Sequence, residues 1–408
     1  MKKKIIWYCH HYAGSPSRGM SYRPYYLTQA FRQAGHRAFV ISASYHHLLQ
    51  HPILQKEPLC YTDIDGVPFI LLKTHDFFKN SVGRLLNMLS YVWRFFWNRK
   101  NIEDITGKPD VIIVSSGHPF HYRLLEKLAR RYQATLIVEV RDLWPLSLID
   151  LLKWPAWHPM VLWLAWIERR AYRQADYVVS LLEGAFPYMA ARGLEKSRFR
   201  VIPNGTSVEL FRSHRERDVD IQAVQEKNRF LIGYAGAIGE PNALHYLIDA
   251  MALLAEQQAD LHCVILGDGP LKPALEKEVA RLQLTTVTFL PPIPKYDIPT
   301  FLGGMDALYL GWNAVDIYQY GVSPNKLFDY MMSGKPIIES GGARFGILDE
   351  VGCGLRCEAA SAEAIAATLL RMQSLSAAER TNMGLRGIQA VEKYYDYKVL
   401  AQQYSALF

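Results

Sequence analysis

Short apolar runs alternate with longer stretches of helical spacing, and the alternation occurs twice along the chain. In the first half the runs Ile5–Cys9, Ala38–Ile41, Phe69–Leu72, Val111–Ser115, Thr135–Val140 and Tyr177–Leu181 read as strands, separated by helical segments such as Tyr25–Ala34 and Tyr122–Tyr132. In the second half the runs are Leu231–Ala235, Cys263–Leu266, Val287–Phe289, Ala307–Leu310 and Pro336–Ile338. Apolar strands that each feed a helix predict parallel sheets with right-handed crossovers, hence an α/β architecture of two doubly wound domains. The break falls at Val201-Ile202-Pro203-Asn204-Gly205 and the polar run Ser213–Asn228. The domains are therefore expected at 1–205 and 229–390, with a linker at 206–228. A C-terminal helix at 391–408 is expected to return to the first domain. Ligands should bind at the carboxyl ends of the strands.

At 408 residues, half of them hydrophobic and 21% charged, the chain is too long for one core and is globular rather than disordered. Its five cysteines form no Cys-x-x-Cys pair, and Cys353 and Cys357 have no histidine nearby to complete a zinc site, so free thiols in a reducing cytoplasm are expected and no metal. The basic start, Met-Lys-Lys-Lys, precedes an apolar run of only five residues, which fits a first strand better than a signal peptide.

The net charge of +7 is unevenly placed. Between Lys79 and Lys100 five basic residues and no acidic one are mixed with leucines, Trp93, Phe95, Phe96 and Trp97. On a helical projection Arg84, Asn87, Tyr91, Arg94 and Asn98 form a polar stripe along an otherwise apolar rod. A second aromatic stretch, Leu143 to Trp166, is broken by Pro145, Pro155 and Pro159 and so is no membrane span. Seven of the nine tryptophans lie between Trp93 and Trp166, a concentration suited to an anionic bilayer surface, against the plainer reading of helices packed on a sheet. No basic-aromatic RNA motif or zinc-finger spacing points to nucleic acid.

Candidate chemistry gathers at the strand ends. Gly321-Val322-Ser323-Pro324-Asn325 offers main-chain amides at the start of a helix, Lys326 adds a point charge, and Asp329 shares its face one turn later. A ligand anionic at one end and hydroxylated at the other, such as a nucleotide sugar, has the matching polarity. Other strand-end loops are His10 to Gly19, with Gly14 and Arg18, then Tyr234 to Gly239 around Gly236, and Gly267-Asp268-Gly269-Pro270. His118 and Asp142 end strands of the first domain, where either could serve an acceptor hydroxyl. Asp63-Ile64-Asp65 precedes Gly66 and reads as a turn, not a metal motif.

In this order the motifs resemble the family-four retaining glycosyltransferases. The matching pieces are the loop at Gly14, Glu139-Val140-Arg141-Asp142-Leu143-Trp144-Pro145, Val201-Ile202-Pro203-Asn204-Gly205, Tyr234-Ala235-Gly236, Leu266-Gly267-Asp268-Gly269-Pro270, and Ser323-Pro324-Asn325-Lys326-Leu327-Phe328-Asp329 with Gly334-Lys335-Pro336. The resemblance implies the GT-B architecture, two Rossmann-like domains facing a central cleft. The Arg-Asp-Leu-Trp-Pro and Ser-Pro-Asn-Lys forms look most like a bacterial surface-polysaccharide subgroup that includes N-acetylfucosamine transferases.

That family carries Glu-x7-Glu where this chain has Gly321 and Asp329. Asp329 is then expected on the donor ribose, with main-chain amides around Val322 and Ser323 in place of the missing first carboxylate. The Arg and Lys that many members place after the Gly236 loop are also absent, which leaves Lys326, helped by Arg18, to face the diphosphate. The resemblance thus implies a metal-independent, retaining hexosyl transfer from a nucleotide sugar, UDP-linked by preference, to a polyprenyl-linked glycan. No cofactor is expected. The setting implied is cytoplasmic, on the inner face of the membrane, in synthesis of lipopolysaccharide, capsule or exopolysaccharide. A nucleotide-sugar epimerase on a similar scaffold and a non-catalytic nucleotide-sugar-binding subunit stay open as alternatives.

Overall fold

The computed structural model describes residues 2–53, 55–76, 81–115, 117–213, 229–341 and 346–408. Lys79 and most of the expected linker, 214–228, lie outside the described residues. The chain divides into two compact units, Met1–Pro203 with Tyr397–Phe408, and Asn204–Asp396.

The first unit is built on an eight-stranded sheet in the order β3-β4-β2-β1-β5-β6-β7-β8. Its strands are β1 (Ile5–Cys9), β2 (Arg37–Ala43), β3 (Leu59–Ile64), β4 (Val67–Leu72), β5 (Val111–Ser115), β6 (Thr135–Val140), β7 (Tyr177–Ser180) and β8 (Phe199–Val201). All neighbours run parallel except β3, which turns back on β4. The hairpin turns on Asp65 and Gly66, both at positive φ, while the Asp63 carboxylate accepts from the Gly66 amide at 2.8 Å, so Asp63 and Ile64 end β3 and Asp65 opens the turn. Edge strands β3 and β8 escape an apolar-run search because both are partly exposed.

One buried ion pair ties this unit together. Glu139 on β6 accepts from Arg23 Nε at 2.8 Å, Tyr8 Oη at 2.8 Å and Ser115 Oγ at 2.6 Å, and also from Tyr404 on the C-terminal helix Tyr397–Ser405. Burial alone would raise the Glu139 carboxyl, but Arg23, Arg141 and these donors overcome that and hold it at about 2. Arg23, at the start of α1 (Arg23–Gln33), also donates to the carbonyls of Ile202 and Pro203. Glu139 and the Val201-Ile202-Pro203 run thus serve to close the unit and dock its last helix.

Helix α2 (Ser81–Thr106) buries polar residues as well as apolar ones. Of its predicted polar stripe, Asn87 and Tyr91 are 0% exposed and Asn98 is buried, their side chains donating to the carbonyls of Tyr45, His75, Ile41 and Arg94, whereas Arg84 is exposed and Arg94 half-exposed. Met88, Phe95 and Ile102 are buried beside them, while other apolar residues face outward, with Trp93 54% and Trp97 63% exposed beside Val82, Leu86, Leu89 and Phe96. The second aromatic stretch is exposed as well, Trp157 at 75%. No described helix is long and apolar enough to cross a membrane.

The second unit holds a six-stranded, all-parallel sheet ordered β11-β10-β9-β12-β13-β14. Its strands are β9 (Phe230–Ala235), β10 (Leu261–Leu266), β11 (Val287–Leu290), β12 (Ala307–Gly311), β13 (Ile337–Ser340) and β14 (Gly354–Cys357). Two hydrophobic clusters cover its faces, one around Leu308, Phe328 and Met331, the other around Ile265, Leu247 and Ile365. In each unit the strand order reverses beside one strand, β1 in the first and β9 in the second, the position at which doubly wound sheets open a crevice.

Candidate functional site

In the second unit, two glycine loops interlock past the ends of β9 and β10. Gly236 N–H donates to the Leu266 carbonyl and Ile238 N–H to that of Asp268. A Cβ on Gly267 would stand 2.0 Å from the Gly236 oxygen, and one on Gly269 2.2 Å from the Ile238 oxygen, so the loops close only with glycine at both places. The amides of Ala237 and Gly239 donate to no described residue, which leaves two N–H groups on this turn for a ligand.

Lys326 reaches the underside of the same turn. Tyr330, two positions beyond the first turn of helix Asn325–Met332, bonds both the amide and the carbonyl of Ala235 and fixes the helix below β9. The Lys326 ammonium then donates to Tyr234 Oη at 2.7 Å and to Asn242 Oδ1, lies 4.4 Å from the Tyr234 ring centroid, and would be 3.2 Å from a Cβ on Gly236. Desolvation pushes this ammonium down to about 7, so an incoming diphosphate would meet a cation that its own charge stabilises. Gly236, Gly267 and Lys326 are thereby brought together as the sequence suggests. Tyr234 stands in the Tyr234-Ala235-Gly236 motif, but nothing in the sequence marks it or Asn242 as the residues that hold Lys326.

Asp329 sits deeper. One carboxylate oxygen accepts from Thr206 Oγ1 at 2.7 Å and the other pairs with Lys295, and the side chain is only 11% exposed. Each oxygen retains a lone pair, but the carboxylate is first a partner of Lys295 and Thr206. Ser323 is likewise engaged: its Oγ accepts from the Asn204 amide at 2.9 Å and its carbonyl from the Asn204 side chain. The amides of Val322 and Ser323 donate to no described residue. Gly321, which stands where the resemblance expects the first Glu, has φ +98°, a conformation in which a glutamate would be strained.

The first unit corrects three expectations. Gly14 shapes its own loop, since a Cβ there would lie 1.9 Å from the Gly19 carbonyl. Arg18 is buried with its guanidinium donating to the carbonyls of His51 and Ser44, and desolvation lowers it to about 10; it braces the loop rather than facing a diphosphate. His118 is wholly buried: Phe120 N–H donates to Nδ1, so Nε2–H donates to His11 Nδ1 at 2.9 Å, and no nitrogen is left to act as a base. It belongs to a cluster with His10, His11, His46 and His121, all held down by desolvation, His46 to about 3 and His121 to about 4. Asp142, past the end of β6, is exposed and remains available.

Residues 18–205 match the glycosyl transferase 4-like domain, and residues 229–374 match the glycosyl transferases group 1 domain. Between them the matches leave out only the first strand, the connection and the C-terminal end. The chain thus carries two glycosyltransferase domains, each built on a Rossmann-like sheet of the GT-B fold. A 2-deoxystreptamine glucosyltransferase of Streptomyces kanamyceticus is 26% identical over 225 residues, 51% of each chain. Matched stretches span 30% to 51% of the curated relatives' own lengths. Among solved structures, sucrose-phosphate synthase of Thermosynechococcus elongatus superposes with a TM-score of 0.74 at 15% identity, over 99% of this chain and 98% of that one. Anabaena Alr3699/HepE, solved with UDP and glucose, superposes with a TM-score of 0.66 at 15% identity over the same shares. At such identities these two share the GT-B fold with this chain and nothing finer.

Proposed function

We propose that the protein transfers a sugar from a UDP-sugar to a lipid-linked glycan acceptor at a membrane surface, with retention of anomeric configuration, in the assembly of a bacterial surface polysaccharide. The observation that carries this reading is the Lys326 ammonium lodged against Gly236 beneath two interlocked glycine loops. A glycosyl transfer breaks the bond from the anomeric carbon to the diphosphate oxygen, so charge grows on that oxygen in the transition state. A preplaced cation and free amides stabilise that charge without a metal. The solved HepE complex with UDP and glucose supports a uridine diphosphate donor.

In this reading Asp329, held by Lys295 and Thr206, orients the ribose, and the amides of Val322 and Ser323 face the sugar where Gly321 has replaced a carboxylate. The acceptor hydroxyl forms the new bond on the face the diphosphate leaves, and its proton passes to the departing phosphate oxygen. In the same reading Asp142, exposed past the end of β6, accepts a hydrogen bond from the acceptor. The exposed tryptophans and arginines of α2 and Trp154–Trp166 hold the protein on an anionic bilayer.

The test is a panel of labelled UDP-, GDP- and ADP-sugars with polyprenyl-linked acceptors. UDP-linked N-acetylated hexosamines, the donors suggested by resemblance to the N-acetylfucosamine subgroup, come first. Transfer and slow donor hydrolysis with UDP-sugars alone are expected, and silence across the whole panel would remove the proposal.

A further inference from the structure

We infer that an apolar cavity in the first unit seats the isoprenoid chain of the lipid acceptor, with its diphosphate on Arg84. The inference rests on the lipid-linked acceptor proposed above and assigns its tail a place. The cavity, about 340 Å³, lies between the start of α2 and the segment Trp144–Leu164. Its walls include Leu85, Phe120, Leu148, Met160 and Leu164, and Arg84 is the charged residue among its lining. The Arg84 guanidinium lies 5.9 Å from the Tyr12 ring centroid, and among the described residues no carboxylate pairs with it.

Three features select the occupant. The polarity is that of an isoprenoid diphosphate, one cation beside a long apolar wall. His118 also lines the cavity, which places it beside the strand-end loops of β1 and β5 where an acceptor head would be presented. It is also continuous with the aromatic surface: Phe120 in its wall stacks on exposed Trp163 at 5.3 Å, and lining residue Trp154 is exposed too. A chain drawn from the bilayer would therefore enter over apolar side chains and end at a guanidinium. An ordinary surface helix would close such a cavity with polar residues. Here α2 lines the cavity with Val82, Leu85 and Met88 and leaves Leu86 and Leu89 exposed as an apolar approach.

The experiment is photolabelling of the full chain with a farnesyl diphosphate that carries a diazirine on its last isoprene. Label is expected on the peptides around Leu85 and Met160, displaced by geranylgeranyl diphosphate but not by inorganic pyrophosphate or phosphatidylglycerol vesicles. Met160→Asp should weaken labelling about tenfold, roughly the loss of one buried apolar side chain. Arg84→Gln should weaken labelling by the diphosphate and leave that by the matching farnesol probe unchanged. Displacement by phosphatidylglycerol would mean a general membrane surface, displacement by pyrophosphate alone an anion site, and label elsewhere no seat at all; each overturns the inference. UDP protection against thermal unfolding, measured on the same variants, separates the two failures. If UDP protects both wild type and Met160→Asp while label misses the cavity, only the seat is wrong; if UDP protects neither, the transferase reading fails first.

Discussion

The carboxyl end of β9 and the carboxyl end of β1 occupy the same place in their sheets, each beside the point where strand order reverses, and they are filled with opposite chemistry. Past β9, glycines let two backbones meet, amides stay free, and one half-buried lysine faces the gap. Past β1, the loop is packed with His10, His11, His46, His118 and His121, all kept uncharged by burial. The same topology therefore yields a centre that gains from an incoming anion and one that stays neutral. That division suits a transfer in which the leaving diphosphate calls for a cation and the reacting group of the acceptor is a neutral hydroxyl.

The largest effect should come from removing the cation. Lys326→Met keeps the volume against Gly236 and deletes the charge, and transfer should fall on the order of 10² to 10³-fold, as for other preplaced electrostatic groups. Thermal stability should hold or rise, because a desolvated charge has been removed. A loss below threefold would show that the β9 end is not the donor centre. His118→Asn, by contrast, should act chiefly through stability, since both ring nitrogens are already bonded inside the protein.

A pH series sharpens the same contrast. The histidines bind protons at their ordinary value near 6.5 when unfolded and only at about 3 and 4 for His46 and His121 when folded. The unfolded state then holds more protons below pH 6.5, so stability falls as pH drops through 6.5 towards 4. Each such histidine adds a slope of up to about 1.4 kcal/mol per pH unit. Lys326 works in a higher window: neutral above about 7 in the folded chain and charged up to its ordinary value when unfolded, it makes stability rise with pH between them. Donor affinity should run the other way, weakening above pH 7, with proton uptake on UDP binding seen by calorimetry in two buffers. Flat stability from pH 7 to 5, or UDP affinity unchanged from pH 7 to 9, would erase the distinction.

How much of this was legible depended on whether the signal was local. Buried parallel strands such as Val111–Ser115 and Leu261–Leu266 announce themselves as apolar runs, and Gly236, Gly267 and Lys326 stand in motifs that the fold brings together. The half-exposed strands β3, β8 and β14 have no such run. Tyr234, Asn242, Lys295 and Thr206 act only through partners 34 to 123 positions away, a distance no spacing rule spans. Arg18 and His118 mislead for a physical reason: polar residues in a strand-end loop look like ligands until their bonds are seen to end in the neighbouring strand-end loops. The stripe Asn87, Tyr91 and Asn98 was seen correctly as a stripe, but which side of a helix faces water is set by what it packs against. Here the carbonyls of Tyr45, His75 and Ile41 draw the polar side inward.

The apolar surface that α2 leaves exposed supplies the most separable effect, a comparison of the two sides of the helix. Trp93 and Arg94, whose guanidinium lies 4.9 Å from the Trp93 ring centroid, belong to the outward side, and the double change Trp93→Ala with Arg94→Ala removes one interfacial ring and one charge. At about 1 kcal/mol for a basic residue near an anionic surface and a comparable amount for the ring, flotation with phosphatidylglycerol vesicles should weaken about thirtyfold. Thermal stability, and transfer to a short-chain acceptor in solution, should not change. Asn87→Ala on the inward side strips its donor from the part-buried carbonyls of Tyr45 and His75, so it should lower stability by about 1 kcal/mol and leave flotation intact. If the outward pair instead lowers stability and leaves vesicle binding alone, the apolar face of α2 is packed in the working protein, and the membrane no longer explains its exposure.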